Sequence, residues 1–317
     1  MAPIFGFGSA TLDFRINTAD FGDNYRDKLL ARETKVFGGG SAANCLVQVA
    51  RLSRQAVGSS LRPAWLGKLG RDWIGDGIVS GLEEEGVDCS AALRDATVCS
   101  PFNVAVYAEW RRVGGYLLPN ALGTLTRDEV RQLASVPEPG DWCIAEIGEI
   151  PLETTREFCQ TAHTRGIHLL IDVDLDPQRQ CVGDPSLISA ILRCADVLAP
   201  NRAALRSLYG EIRAPGLVDA LAAEYGVSIV ITSGADGAYY RAPGQPTRHV
   251  PAIPVDVVDT VGAGDAFHGG LLYALSRGET LADAVLLGTR CGAAACLKFG
   301  ARTSMPTMEE LAALFPG

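Results

Sequence analysis

One stretch decides the fold of this chain, residues 256–278, which read DVVDTVGAGDAFHGGLLYALSRG. Residues 256–258 predict the end of an extended strand, and the small residues 261–264 predict a turn. After the turn, apolar side chains recur every fourth position, the spacing of one helix face, at Phe267, Leu271 and Leu275. Gly278 then ends the helix. The stretch therefore predicts a strand, a turn and a helix.

The turn before this helix has the features of an anion-binding site. The start of a helix leaves backbone N–H groups without partners, and the helix dipole adds partial positive charge there. The small residues Gly262, Ala263 and Gly264 let an anion approach these groups. Asp265 follows in the first helical turn, where its carboxylate could accept the proton of a hydroxyl that attacks a bound phosphoryl group. The stretch predicts phosphoryl transfer, with a purely structural turn as the alternative.

Two segments resemble the signatures of a known family. DTVGAGDAF, residues 259–267, resembles the second signature of the ribokinase or phosphofructokinase-B family of sugar kinases, and GGGSAAN, residues 38–44, resembles the first. Weaker pieces lie between them in the family's order, so the resemblance covers essentially the whole chain. It implies a three-layer α/β/α fold with a mainly parallel sheet and a small β lid. It also implies an ATP-dependent carbohydrate kinase that uses Mg²⁺.

The composition excludes several other classes of protein. The 317 residues are 47% apolar and 21% charged, which is typical of a globular chain with a large core. A net charge of −9 argues against nucleic acid as the main partner, because phosphate backbones are bound by excess Lys and Arg. The nine cysteines include no C-x-x-C pair, which predicts reduced thiols. Without a long apolar run or a basic N-terminal segment, we expect no membrane partner and a cytoplasmic location.

Strand and helix patterns alternate through most of the chain, which is typical of a parallel sheet covered by helices. Strands are predicted at residues 4–8, 64–70, 142–147, 168–173 and 196–199. We expect one kinase domain over residues 1–317. Segments of about 14–37 and 97–118 resemble the family's inserted lid, which often pairs between subunits and so implies a homodimer.

The resemblance places the sugar next to the first signature. Asp13 follows the first strand, where an ionised carboxylate can accept hydrogen bonds from two hydroxyls. Gly39 and Gly40 permit close approach of a ligand to the backbone, with a tight hinge as the alternative. Asn44 resembles the family's sugar-binding Asn. Three lid aromatics could cover the sugar or belong to the core, namely Phe102, Tyr107 and Trp110.

The resemblance also places the nucleotide and two cations. ATP contacts are expected from Gly264 and from four residues near strand ends, which are Asn201, Thr232, Gly234 and Gly237. Asp259, the Val261 carbonyl and Ser304 would supply oxygen ligands suited to K⁺. The family's N-x-x-E motif, whose Glu helps to hold the Mg²⁺ water shell, has Ala204 in place of that Glu. Asp172 and Asp174, at the end of a predicted strand, are the candidates to replace it.

Three functions stay open at this stage. The first is a kinase in which Asp265 takes a proton from a sugar hydroxymethyl group. The second is a nucleoside kinase of the same fold. The third is a catalytically weakened sugar sensor, suggested by the Ala at position 204. His268 falls one helical turn after Asp265 and is predicted to be a supporting or packing residue. The sequence does not predict which sugar is bound.

Overall fold

The computed structural model of the protein describes residues 2–18, 30–54, 62–109 and 111–316. The strands of this part are β1 (Ile4–Phe7), β2 (Thr11–Thr18), β3 (Glu33–Gly39), β4 (Ala64–Leu66), β5 (Lys68–Gly70), β6 (Leu93–Asp95), β7 (Phe102–Ala108), β8 (Arg111–Leu118), β9 (Trp142–Ile147), β10 (His168–Val173), β11 (Val197–Leu198), β12 (Ser228–Thr232), β13 (Ala238–Arg241) and β14 (Arg248–Val250). The helices are α1 (Ser41–Ser53), α2 (Trp73–Glu84), α3 (Arg127–Ala134), α4 (Leu152–Thr164), α5 (Ile188–Leu192), α6 (Arg206–Tyr209), α7 (Ala214–Tyr225), α8 (Ala263–Ser276), α9 (Leu281–Ala295) and α10 (Met308–Leu314).

A central sheet of eight strands organises the molecule, in the order β14-β13-β12-β11-β10-β9-β1-β4. Neighbours from β12 to β4 are parallel, whereas β13 and β14 are added antiparallel at one edge. Helix α4 packs against β9 and β10, and α1 packs against β1 and against α8. The central strands β1, β9 and β10 are buried on both faces, as expected for a parallel sheet covered by helices. The predicted three-layer α/β/α fold with a mainly parallel sheet is confirmed.

A second sheet lies beside this core, with four strands in the order β3-β2-β7-β8. Strand β2 pairs antiparallel with β3 and parallel with β7, and β8 returns antiparallel along β7. Most residues of these strands come from the two segments predicted as a lid. Residues 19–29 of the first segment and Trp110 of the second lie outside the described residues.

Two predicted strands are wrong. The segment 64–70 forms two short strands that are separated at Gly67, where a side chain would collide with the Trp65 indole. Strand β4 therefore joins the central sheet, while β5 pairs with β6. Residues 256–258 form no strand: Val258 is 61% exposed, and its N–H donates to the Cys296 carbonyl at the end of α9, 2.8 Å away.

Helix α8 packs unusually close to its neighbours because glycines face them. A Cβ on Gly269 would lie 2.5 Å from Gln48 Cβ and 2.8 Å from the Cys45 carbonyl oxygen of α1. On the side of α9, a Cβ on Gly270 would lie 2.8 Å from Cys291 Sγ. These distances leave no room for a methyl group, so the glycines set the separation of the three helices.

No helix within the described ranges is both long and apolar enough to span a bilayer. All nine cysteines are free, as predicted, and six of them are buried among apolar side chains.

We predict that Gly269→Ala destabilises the protein by about 1–3 kcal/mol, the usual cost of overpacking a core. The matched control is Gly81→Ala in α2, where the nearest atom to a new Cβ would be 3.6 Å away. This change should be neutral or stabilising by up to about 1 kcal/mol, because Ala favours helix. Urea unfolding monitored by circular dichroism measures both variants. Equal midpoints would show that the helices can move apart without loss.

Candidate active site

The N-terminus of α8 forms the centre of the site. Gly262 has φ of 85°, and a Cβ there would lie 2.7 Å from Ala301 Cα, so only glycine fits. The N–H of Ala263 donates to the Thr260 carbonyl over 3.2 Å and is not free for a ligand. The N–H groups of Gly264 and Asp265 have no acceptor within the described residues. The predicted anion hole therefore centres on these two groups.

Asp265 lies beside this opening and contacts the first signature. Its Oδ2 accepts a hydrogen bond from Asn44 Nδ2 of α1 at 2.8 Å. Burial raises the pKa of the Asp265 carboxyl, while the Asn44 amide opposes that rise and the negative charge of Asp174 adds to it. A carboxylate held this way is a better proton acceptor near neutral pH than an ordinary exposed Asp.

Asn44 is held in turn by Arg302, a residue that sequence reasoning missed. The buried guanidinium donates to Asn44 Oδ1 at 3.4 Å and to the Gly39 carbonyl at 3.0 Å. Gly38 lies directly over this guanidinium, where any side chain would collide with it. Gly38 of the first signature therefore makes room for the Arg302 side chain and not for a ligand. Burial lowers the pKa of Arg302 to about 10, so the side chain stays charged at neutral pH.

Asp13 projects from β2 next to the same glycines. A side chain at Gly39 would collide with the Asp13 carboxylate. Asp13 Oδ1 accepts from the Thr11 hydroxyl at 2.9 Å and from Asn103 Nδ2 of β7 at 3.0 Å. At Gly40, φ is 90° and a Cβ would meet the Ser9 backbone at 2.5 Å. The four predicted sugar residues are therefore brought together around the N-terminus of α1.

Two glutamates at the end of β9 have different roles. Glu146 is buried, and its carboxylate accepts from the backbone N–H groups of Ser9 at 2.6 Å and Ala42 at 2.9 Å. It therefore fixes the start of α1. Glu149 Oε2 is buried and has no partner within the described residues. Burial raises the pKa of Glu149 to about 8, with a further contribution from the charge of Glu146. Such an unpaired carboxyl oxygen is a candidate ligand group.

A cavity of about 690 Å³ opens on the other side of the α8 N-terminus. It lies between the ends of the central strands and helices α8 and α9. All five residues predicted to bind ATP line it, namely Asn201, Thr232, Gly234, Gly237 and Gly264. Apolar side chains line the remainder, among them Phe267 and Val257. The cavity has the size and lining of a site for a nucleotide.

The three predicted ligands of K⁺ lie on two adjoining loops, but they do not fit that ion. Asp259 accepts from the Val261 N–H at 3.1 Å and from the Gly300 N–H at 3.0 Å. The Ser304 hydroxyl donates to the Ala301 carbonyl at 2.8 Å. Arg15 of β2 places its Nη1 3.7 Å from Asp259 Oδ2. Because the carboxylate already has a cationic partner, a second cation there would be repelled.

The two aspartates at the end of β10 also differ. Asp172 is buried, and its Oδ2 lies 3.4 Å from His268 Nδ1. Burial raises the pKa of Asp172 and lowers that of His268, which favours an uncharged pair beneath the site. Asp174 is exposed and accepts from the Ser41 hydroxyl at 3.2 Å. His268 is thus a buried neighbour of the site and does not line the cavity.

Of the two carboxylates predicted as ligands of Mg²⁺, Asp172 and Asp174, only Asp174 is exposed. Within the described ranges no group of three or more His, Cys, Asp or Glu could hold a metal ion by itself. Mg²⁺ usually takes one or two carboxylates and completes its shell with water and substrate phosphates, which an exposed Asp174 allows. Ala204 is 5% exposed and packs in the core, so its methyl group does not face the cavity.

Comparison with known proteins shows which family the chain belongs to. The chain matches the pfkB family of carbohydrate kinases over residues 1–308. It is 29% identical to a ribokinase from Schizosaccharomyces pombe over 281 residues, which are 86% of this chain and 85% of that protein. It is 31% identical to an aminoimidazole riboside kinase from Salmonella typhimurium over 286 residues, 86% of each chain.

A solved structure shows the same fold. A ribokinase from Arabidopsis thaliana, complexed with ribose and ATP, superimposes with a TM-score of 0.81. It is 19% identical in sequence, and the match covers 100% of this chain and 99% of that one. At this identity the likeness establishes the fold alone.

We predict that the pKa of the Asp265 carboxyl, measured by ¹³C NMR, exceeds the ordinary Asp value of about 3.9. Asn44→Ala should raise it further, because the amide donates to the charged form. Since the folded pKa lies above the unfolded one, Asp265 lowers stability as pH rises through that interval. Asp265→Asn should therefore lose this part of the pH dependence. A pKa at or below the ordinary value, or no change in Asn44→Ala, would contradict the assigned environment.

Proposed function

This chain belongs to the pfkB family of carbohydrate kinases, which transfer a phosphoryl group to an alcohol, and on that premise we propose that it phosphorylates the hydroxymethyl group of a sugar with ATP. One observation carries the proposal. Asp265 and the free N–H groups of the α8 N-terminus lie between a cavity lined by the predicted ATP residues and a polar cluster with the predicted sugar residues. This is the order of parts that phosphoryl transfer requires.

In the proposed reaction Asp265 accepts the proton of the attacking hydroxyl. The Asn44 amide orients the carboxylate, and the raised pKa of Asp265 brings it closer to that of a useful base at neutral pH. The N–H groups of Gly264 and Asp265 face the γ-phosphoryl group and stabilise its developing charge, with the turn at Gly262 and Ala263 holding them in place. The products are ADP and a sugar phosphate.

The proposed sugar pocket is formed by Asp13, Asn44 and the backbone at Gly39 and Gly40. Carboxylate and amide oxygens accept hydrogen bonds from sugar hydroxyls, and the free Oε2 of Glu149 would add one more acceptor. Phe102 packs edge-to-face on Phe14, with ring centroids 5.8 Å apart, which favours a packing role for this lid aromatic.

The proposed ATP site is the cavity beside α8. Asn201 and Thr232 are joined by an isolated β-bridge, and glycines 234 and 237 adopt positive φ, a backbone conformation that favours glycine. Asp174 would hold the water shell of Mg²⁺, and the metal would supply neutralisation of phosphate charge. Because Ala204 packs in the core, its presence does not by itself favour a sensor without activity.

A nucleoside kinase remains the second candidate, and the likeness to an aminoimidazole riboside kinase favours it. Such a substrate shares the hydroxymethyl group of a pentose but adds a base. ADP release from the purified protein, ATP and Mg²⁺ tests both candidates against a panel of pentoses, hexoses, ketoses, polyols and nucleosides. Turnover of free sugars in preference to nucleosides supports the first proposal.

We further propose a cytoplasmic homodimer that pairs through the second sheet. Exposed apolar side chains on its edge strands support this contact, with Val36 50%, Tyr116 74% and Leu117 42% exposed. Nine free thiols agree with a reducing compartment. Sedimentation velocity of the purified protein measures the oligomeric state, and a monomer at micromolar concentration would contradict the dimer.

We predict that Asp265→Asn lowers kcat at least about a hundredfold, the usual scale for a positioned general base, while sugar affinity changes little. Asp256→Asn is the matched control, because Asp256 is exposed and lies ahead of the turn. Steady-state kinetics of ADP release measures both. Near-normal turnover of Asp265→Asn would remove it as the base.

We also predict that Asp13→Ala raises KM for the sugar by about tenfold or more, since a lost partner leaves buried hydroxyls unpaired at a cost of about 1–3 kcal/mol. The KM for ATP should change much less. Asn201→Ala, on the other side of α8, should show the reverse pattern. Equal changes in both constants for both variants would contradict the division into a sugar side and a nucleotide side.

A further inference from the structure

A buried guanidinium lies next to Asp259, one of the three residues that the sequence predicts to bind a monovalent cation. Arg15 of β2 is 3% exposed and lies over two aromatic rings that contact each other edge-to-face. Its guanidinium carbon is 4.7 Å from the ring centroid of Phe37 and 5.2 Å from that of Phe299. These contacts bind a cation by its attraction to the ring faces. They also fix the direction in which the guanidinium points.

That direction leads to Asp259. Arg15 Nη1 lies 3.7 Å from Asp259 Oδ2, and the Asp259 side chain is 13% exposed, so the pair is largely removed from water. A buried charge is tolerated when it is paired and hydrogen-bonded. Arg15 is therefore the counter-ion of Asp259. From the sequence, this carboxylate is predicted to be a ligand of K⁺.

Asp259 joins the two loops that shape the anion hole. One carboxylate oxygen accepts from Val261, one residue before the Gly262 turn, and the other accepts from Gly300. The second loop meets the turn directly, since Gly262 and Ala301 are in close contact. A cation that neutralises the Asp259 carboxylate therefore holds both loops in place against the start of α8. The cation that does so supports the anion hole without touching the phosphoryl group.

A metal ion could not share this carboxylate with Arg15. Arginine side chains in general keep their charge over the whole working range of pH. K⁺ would have to lose water next to that charge. The repulsion between K⁺ and the guanidinium cancels the attraction of K⁺ to the Asp259 oxygens.

We propose that Arg15 is a built-in cation that replaces a monovalent metal ion, so that the reaction needs no K⁺. Arg15 is a positioning residue, and this inference rests on the proposed function. It also couples the two sides of the site. Asp13 and Arg15 lie two residues apart on β2 and so project from the same face of that strand. The strand that contacts the sugar thereby holds the loops that bind phosphate.

The test compares cations at equal ionic strength. Initial rates are measured in chloride salts of K⁺, Na⁺ and tetramethylammonium, the last being too large to enter an oxygen-lined site. Wild-type rates should agree within about twofold in all three, and Arg15→Lys should keep that independence. Arg15→Ala should lose about tenfold or more in tetramethylammonium and regain part of it in K⁺. Arg248→Ala, an exposed arginine of β14, is the control and should behave like wild type.

A second readout does not need turnover. A cation that binds only the folded state raises the melting temperature. KCl should therefore raise the Tm of Arg15→Ala above its value in tetramethylammonium chloride, with no difference for wild type. Activation of the wild-type enzyme by K⁺, or a Tm difference in wild type, would overturn the proposal. If Arg15→Ala does not fold, the wild-type and Arg15→Lys arms still decide, and absence of turnover in every salt would contradict the proposed function alone.

Discussion

The rest of the site depends on the close contact of α1 with α8. Gly269 has no side chain, so the backbone of α8 approaches Cys45 and Gln48 of α1 more closely than any other residue would allow. One turn earlier along α8, this approach brings Asp265 to 2.8 Å from Asn44. The base and the residue that orients it come from the two signatures of the sequence. The close packing of α1 and α8 thus sets the position of the proposed base relative to the residue that orients it.

Negative charge is concentrated around this contact, and two buried arginines partly offset it. Carboxylates gather near the start of β2 and at the ends of β9 and β10. Burial, together with the repulsion between these groups, raises the pKa of Asp265 and Glu149. Two buried arginines offset this charge from behind, Arg302 beneath Asn44 and Arg15 beside Asp259. Neither arginine faces the cavity, so the charge of a bound phosphate is left to the start of α8. These two arginines position neighbouring residues and do not bind the phosphate.

The sequence predicted those elements and site residues that depend on local sequence patterns. Periodicity, glycine spacing and resemblance predicted the strand at 142–147 and the start of α8. They also predicted five ATP-binding residues, which the structure brings together around one cavity. The partners of those residues could not be predicted, because they are distant in sequence. Asn44 meets Asp265 across 221 residues and Arg302 across 258, and no local signal marks either contact. The contact of Arg15 with Asp259 could not be predicted for the same reason, since Arg15 reaches that carboxylate from the second sheet.

The central claim is that Asp265 directs a primary hydroxyl of a sugar to the γ-phosphoryl group of ATP. Proton-coupled ³¹P NMR of the reaction with ATP, Mg²⁺ and a pentose tests it directly, because an ester of a CH₂OH group couples to two protons and an ester of a secondary alcohol couples to one. The account predicts a new triplet that grows in step with ADP. A doublet, or ADP formed with inorganic phosphate as the sole other product, would contradict it.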